Sequence, residues 1–350
     1  MQLVRQNEEK AAGRRKSHPG VRVRAVVAVL LIAALGSACA GESGDRGGGG
    51  RSGDGGGGGG GPVETATERP GGRAGPDAEE KADAAKKAEA AKADALKKAD
   101  ALKKADAAVA KAQARRAVAA KKWKLAKTPL AAPPPPAVKP RITTRKGFEV
   151  TGGATLPPVF TRVPTKEKVV FLTIDDGAEK DPELLRMMTE LKIPYSAFLS
   201  DYVIRDDYAY FKKMQARGVS LHNHTLTHPY LPGLSYEKQK REICGQQEKI
   251  EKRYGKRPAL FRPPYGNYNA ATLRAAKSCG VKAVPLWSSE AFPDHMEWRE
   301  WDRDLHPGDI VLTHFRGKRE WKGSMPDMIR HVMKRITDKG YAVAKLEDYV

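Results

Sequence analysis

The chain has 350 residues, with 63 Lys and Arg against 42 Asp and Glu, a formal charge of +21. That balance suits anionic partners such as nucleic acid, anionic lipid or wall polymers. No nucleic-acid-reading motif is present, and the export signal described next argues against a DNA partner. Up to about residue 145 there is almost no mixed pattern of apolar and aromatic residues that could bury a core, whereas beyond it there is. A single globular domain is therefore expected over 146–350.

Arg14, Arg15, Lys16, Arg22 and Arg24 make a basic region, and Ala25–Leu35 makes an apolar one. That stretch of about 11 residues is too short to span a bilayer and reads as a signal peptide within 1–39. Arg14-Arg15 is a poor match to a twin-Arg signal. Two processing readings stand side by side. LGSAC resembles a bacterial lipobox with Cys39 as the lipidated residue, although its Leu lies four residues before the Cys rather than three. Ala38-Cys39-Ala40 equally fits a small-residue cleavage site and full secretion. The flexible stretch directly after Cys39 favours a lipid anchor, with the protein at the cell membrane facing the wall.

Residues 40–78 read as a Gly-rich disordered linker. Residues 79–127 are rich in Ala and Lys, with ADALKK repeated at Ala93–Lys98 and Ala99–Lys104, a strongly helix-forming composition. The leucines recur every six residues, which fits neither a heptad nor a 3.6-residue period, so a solvated helical spacer of roughly 75 Å is expected rather than a zipper. Residues 128–145, containing Pro133–Pro136, read as an extended Pro-rich linker that ends the helix.

Over 146–350, strand-like runs at Val169–Ile174, Tyr195–Ser200, Val219–His222, Ala259–Arg262, Lys282–Trp287, Asp309–Thr313 and Ala342–Leu346 alternate with helical patterns. The helical patterns include Pro182–Leu191, Tyr236–Tyr254, Ala270–Ser278 and Met325–Asp338. Repeated β-then-α predicts a parallel sheet in an α/β fold, and about seven repeats favour a barrel over a doubly wound open sheet. Cys244 and Cys279 lie in or at the end of consecutive helical patterns. They could pair as a disulfide outside the cytoplasm or stay as two buried thiols.

Four strings carry chemistry. VVFLTIDDG at Val169–Gly177 ends a strand in two carboxylates, and HTLTH at His224–His228 sets two imidazoles four residues apart. Together they supply an acidic metal ligand, two histidine ligands and a spare carboxylate, the parts of a metal-assisted hydrolase. His222, on the same strand, is a candidate partner behind the ligands. FRPPYG at Phe261–Gly266 gives a rigid loop and a permanent cation, Arg262. PGDIVLTHF at Pro307–Phe315 puts His314 at a strand end, where it could act as general acid.

In this order the four strings resemble the polysaccharide deacetylase family (the NodB-homology group, carbohydrate esterase family 4) over about Lys166–Val350. The resemblance implies a distorted (β/α)7 barrel. It implies one divalent metal, with zinc the expected ion, on Asp176, His224 and His228. Asp175 is then the general base and Arg262 supports the catalytic carboxylates. The Tyr265 backbone N–H helps stabilise the oxyanion, and His314 protonates the leaving amine. Leu312 and Trp287 line the substrate pocket. The family's fourth motif usually reads W-D-x-D-x-x-D-W, whereas this chain has LWSSEAFPDH at Leu286–His295. Glu290 falls where the supporting Asp would be, and Asp294 takes that place if one residue is inserted. The function implied is an exported, monomeric N-deacetylase of cell-wall polysaccharide, first among substrates the amino sugars of peptidoglycan. A chitin or acetylxylan deacetylase and a catalytically silent glycan-binding module are the alternatives.

Overall fold

The computed structural model describes residues 76–350. The expected signal peptide, Cys39 and the Gly-rich linker as far as residue 75 lie outside the described residues. Helix α1 (Pro76–Lys122) occupies most of the Ala/Lys segment, and Lys121 and Lys122 in its last turn suit the negative end of the helix dipole. Among the described residues no helix is long and apolar enough to cross a membrane.

The unit that carries the chemistry lies within Lys92–Val350. Within it the last turns of α1 depart from the solvated spacer expected there. Ala119 and Ala120 are buried, Arg116 Nε donates to the Leu191 carbonyl at 3.1 Å, and Trp123 Nε1 donates to Glu190 at 2.6 Å. Small alanines permit this close approach but leave no apolar periodicity to announce it. The Pro-rich stretch is likewise packed rather than free. Ala132 and Ile142 lie against the apolar interior, and Lys139 Nζ bonds the carbonyls of Glu347 and Val350, both at 2.7 Å.

After the short β1 (Val159–Phe160) comes β2 (Val169–Asp176), whose residues are buried throughout. The rest follows as α2 (Pro182–Leu191), β3 (Ser196–Leu199), α3 (Asp201–Ile204), α4 (Tyr208–Gln215), β4 (Ser220–Asn223), α5 (Tyr236–Tyr254), α6 (Ala270–Ser278) and β5 (Val284–Pro285). It ends with β6 (Ser289–Ala291), β7 (Met296–Trp298), β8 (Ile310–His314), α7 (Met325–Asp338) and β9 (Ala342–Val343). Local chemistry sets the helix ends. Asp181 caps α2 ahead of Pro182, Ser235 caps α5, and reciprocal side-chain-to-backbone bonds start α6 at Asn269 and α7 at Ser324.

The strands pair in parallel in the order β4-β3-β2-β8-β6. Bridges Asn223↔Phe261 and Leu260↔Ala283 carry the ladder onward, and the chain from Ala283 runs on into β6, which closes the ring. The lower half of β2 pairs with β9 instead of β3, which is the distortion in the barrel. Ala259–Arg262 contributes these bridges rather than a full strand, because its two prolines withdraw backbone donors immediately afterwards. β6 and β7 pair antiparallel as a hairpin outside the β-then-α repeat. Phe160, Phe171, Phe198, Leu260, Ile310 and Leu346 fill the barrel interior. A larger cluster including α2, α4 and α7 packs outside, with α5 and α6 contributing a third.

Candidate active site

The register brings the chemistry to one end of the barrel. Asp175 pairs across to His314 on β8 and Phe198 on β3, and Phe198 pairs with His222 on β4. Asp176 leaves the extended conformation at φ 76°, and Gly177 follows at φ 97° with Ile204 Cγ2 only 2.4 Å from where a Cβ would stand. Only glycine meets both conditions. The turn aims both carboxylates at one opening: Asp175 Oδ2 lies 3.7 Å and Asp176 Oδ1 3.5 Å from the same atom, His224 Nε2.

The HTLTH loop is held by hydrogen bonds at its strained points. Thr225 and His228 have positive φ, 71° and 59°, a cost of order 1–3 kcal/mol each for non-glycine residues. Thr225 N donates to Asn223 Oδ1 at 2.8 Å, and His228 N donates to Thr225 Oγ1 at 3.1 Å. Asn223 is in turn fixed by its amide to Gln247 at 3.0 Å and to the Ile243 carbonyl at 2.8 Å. Ser200 Oγ donates to the His224 carbonyl at 2.6 Å. His228 Nε2 thereby stands 3.4 Å from Asp176 Oδ1.

Donor chemistry here fits a cation. His224 Nδ1 lies 2.7 Å from the Arg262 carbonyl, and a carbonyl only accepts, so Nδ1 carries the proton and Nε2 presents its lone pair. Burial lowers the pKa of both His224 and His228 to about 4, the neighbouring His224 adding to the effect on His228. Both rings are neutral at pH 7. Burial opposes ionisation of Asp176, but His224, His314, His228 and Arg316 outweigh it and hold its pKa below the usual value. Asp176 Oδ1 is buried with no hydrogen-bond partner. One atom from each of Asp176, His224 and His228 falls within 4.8 Å of the others, a carboxylate and two imidazoles suited to a divalent ion.

Arg262 is fully buried. It donates Nη1 to Asp175 Oδ1 at 2.7 Å and to Thr173 Oγ1 at 3.0 Å, and Nε to the Pro285 carbonyl at 2.8 Å. Its guanidinium also lies 4.3 Å from the Phe198 ring centre. Burial drives the Asp175 pKa up to about 6 against the pull of Arg262 and His314. Asp175 is thus a carboxylate at neutral pH that is unusually ready to take a proton. His314 Nδ1 meets Glu290 Oε1 at 3.0 Å. Burial works to lower the His314 pKa, but the hydrogen bond and charge of Glu290 prevail and raise it.

The other expected residues divide. Leu312 lies on β8 one alternation below His314, in register with Thr173 and Glu290. Trp287 lies 5.7 Å from the Arg262 guanidinium and 4.6 Å from that of Arg299. Tyr265 sits in a tight turn at φ 60°, its ring 4.7 Å from that of His228. Asp294 does not reach His314; it is exposed beyond the end of β6 and pairs with His295 at 2.7 Å. The hairpin carries it away while its first strand holds Glu290 in place. His222 does not back the ligand set either, since its Nε2 meets Glu347 at 2.5 Å. Cys244 and Cys279 form a disulfide, with sulfurs 2.02 Å apart. Sequence reasoning missed Arg316, which bonds Asp176 Oδ2 at 2.8 Å, and Tyr202, whose ring lies 6.3 Å from that of His228. Neither stands in a recognisable string; proximity of Arg316 to His314 in sequence was the only pointer.

Residues 162–284 match the family model described as polysaccharide deacetylase. An uncharacterized protein of Streptomyces coelicolor is 40% identical over 199 residues, covering 57% of this chain and 79% of that protein. The peptidoglycan-N-acetylglucosamine deacetylase of Bacillus cereus is 31% identical over 187 residues, covering 49% of this chain and 82% of its own length. The peptidoglycan-N-acetylmuramic acid deacetylase PdaA of Bacillus subtilis is 28% identical over 196 residues, covering 53% and 72%.

Proposed function

The chain belongs to the polysaccharide deacetylase family, and from that premise we propose that it is a metal-dependent N-deacetylase of cell-wall glycan, acting on the amino sugars of peptidoglycan. The observation that carries this reading is the convergence of Asp176 Oδ1, His224 Nε2 and His228 Nε2 beside a second, separately held carboxylate. Those three residues would hold one divalent ion, with zinc the expected choice for a carboxylate and two imidazoles. When bound there, such an ion lowers the pKa of a water and polarises an amide carbonyl.

The protein's own groups do the rest. Asp175, held by Arg262 and raised to about 6, takes the proton of the attacking water through the oxygen that faces the histidines. In this reading the backbone N–H of Tyr265 donates to the developing oxyanion. His314, whose pKa the hydrogen bond and charge of Glu290 raise against burial, delivers a proton to the amine nitrogen as the C–N bond breaks. Leu312 and Trp287 bound the space for the acetyl group. The contact of Glu290 with His314 supports the enzyme over the silent-module alternative, because a carboxylate stands beside this histidine as the family's supporting Asp is expected to. Substrate preference is supported by two peptidoglycan deacetylases among the relatives, ahead of chitin and acetylxylan. We also propose that the protein is exported and works as a monomer, tethered through Cys39.

Acetate release from N-acetylated peptidoglycan, chitin oligomers and acetylxylan, assayed in parallel, tests the reading. Release from peptidoglycan should be highest, should cease with a chelator, and should return with Zn2+. Asp175→Asn should abolish it while zinc is still bound. Release from none of the three, with glycan binding retained, would replace the enzyme by a binding module.

A further inference from the structure

Arg316 stands two residues beyond His314, outside every string that points to the chemistry. Its Nη2 donates to Asp176 Oδ2 at 2.8 Å, and its Nη1 pairs with Glu320. The two oxygens of Asp176 are thereby divided: Oδ2 is taken by Arg316, while Oδ1, buried and unpartnered, faces His224 Nε2 at 3.5 Å and His228 Nε2 at 3.4 Å. The backbone that delivers Arg316 is tied on both sides. Phe315 N donates to the Asp175 carbonyl at 3.0 Å, Arg316 N to the His314 carbonyl at 3.0 Å, and Glu179 N to the Phe315 carbonyl at 2.9 Å. Phe315 itself is fully buried, and the Glu179 carboxylate fills the place of a Cβ on Gly317, 2.5 Å away.

We propose that Arg316 is a positioning residue for the metal: it grips Oδ2 of Asp176 so that the carboxylate offers Oδ1 alone to an ion shared with the two histidines. This rests on the metal reading of the site. An ungripped carboxylate can turn about its Cβ–Cγ bond and present either oxygen or both. One bonded to a guanidinium turns only by giving up a charge-assisted hydrogen bond. The cation also repels a divalent ion, but its side chain is 34% exposed against 3% for Asp176. Water therefore screens that repulsion, while the hydrogen bond acts at contact. Orientation outweighs repulsion.

The test is zinc affinity of the metal-free full chain, measured by competition with a chromogenic chelator for wild type, Arg316→Ala, Arg316→Lys and Glu320→Gln. Arg316→Ala should raise the zinc Kd by about 10–100-fold, the usual effect of removing a group that orients a metal ligand. Arg316→Lys should recover part of the loss, and Glu320→Gln should show a smaller rise. With Co2+ in place of zinc, the visible absorption of Arg316→Ala should differ from wild type, because the ligand geometry changes; loss of packing alone would leave it unmoved. An Arg316→Ala Kd equal to or below wild type, with wild type binding zinc normally, overturns the proposal and leaves the metal reading intact. A wild type that takes up no zinc removes both. Should Arg316→Ala fail to fold, the Lys and Gln variants carry the same comparison.

Discussion

At the scale of single residues, the contact between His314 and Glu290 should set where the proposed activity ends as pH rises. In the proposed mechanism His314 must be protonated to serve the leaving amine, and Glu290 lifts its pKa against the effect of burial. Activity should therefore fall as pH rises through that raised value. Glu290→Gln keeps the side-chain shape but removes the charge, so the descending limb of kcat/KM should move to lower pH. Asp294→Asn, at an exposed position paired with His295, should leave that limb in place. A pH profile on an N-acetylated glycan oligomer makes the comparison; a limb moved by Asp294→Asn rather than Glu290→Gln would reverse the assignment. The sequence allowed both carboxylates because spacing along a chain cannot reveal a hairpin. Ser289–Ala291 and Met296–Trp298 show no clean alternation, so the turn that carries Asp294 outward left no mark. Arg316 was invisible for a related reason: an arginine after a strand is ordinarily a solvated cation, and only folding brings it to Asp176.

At the scale of elements, α5 ties the ligand loop to the body of the barrel. Gln246 donates to the Leu199 carbonyl at 2.6 Å, and Gln247 bonds Asn223 and the Pro258 carbonyl, at 3.0 and 2.9 Å. The disulfide from Cys244 on α5 to Cys279 after α6 closes 35 residues, including the FRPPYG loop with Arg262 and Tyr265. Cross-linking a loop of that length restrains the unfolded chain by about 3–4 kcal/mol. The double variant Cys244→Ala, Cys279→Ala should lose roughly that much unfolding free energy in urea. Unchanged stability would mean that the bond does not form in the protein. These helices were the most legible part of the fold: apolar residues recur on one face of α2, α5, α6 and α7, and capping residues punctuate the ends. The disulfide was not legible, since spacing does not report how close two helices pack. The buried glutamines of α5 read as surface residues until the strand ends they bond are known.

At the scale of the whole unit, the lower end of the barrel, opposite the site, is closed by chain from outside the repeat. Ala132 and Ile142 pack against the interior from the Pro-rich stretch, with Val350 beside them. Trp123 and Leu125 pack on the outer cluster, where Arg330 bonds the Trp123 carbonyl at 3.3 Å. A fragment beginning at residue 146 should accordingly be less stable than one beginning at Lys92, by on the order of 3 kcal/mol for the apolar surface lost. Denaturant midpoints of the two fragments measure the difference, and equal midpoints would restore the free-linker view.

The last residues also send a carboxylate into the barrel, and it makes the stability of the whole unit depend on acid. Burial alone would raise the pKa of Glu347, but His222, at 2.5 Å, brings it down to about 2 from an ordinary 4.5. A depressed folded-state pKa stabilises the fold at pH values above the unfolded one, and that contribution disappears as pH falls through the folded value. The difference corresponds to on the order of 3 kcal/mol. Glu347→Gln should therefore cost about that much at pH 7 and pH 5, and the gap from wild type should shrink at pH 3 as Glu347 in the unfolded chain takes up its proton. Urea unfolding at the three pH values follows the gap. A gap as wide at pH 3 as at pH 7 would show that Glu347 contributes by packing and not by charge.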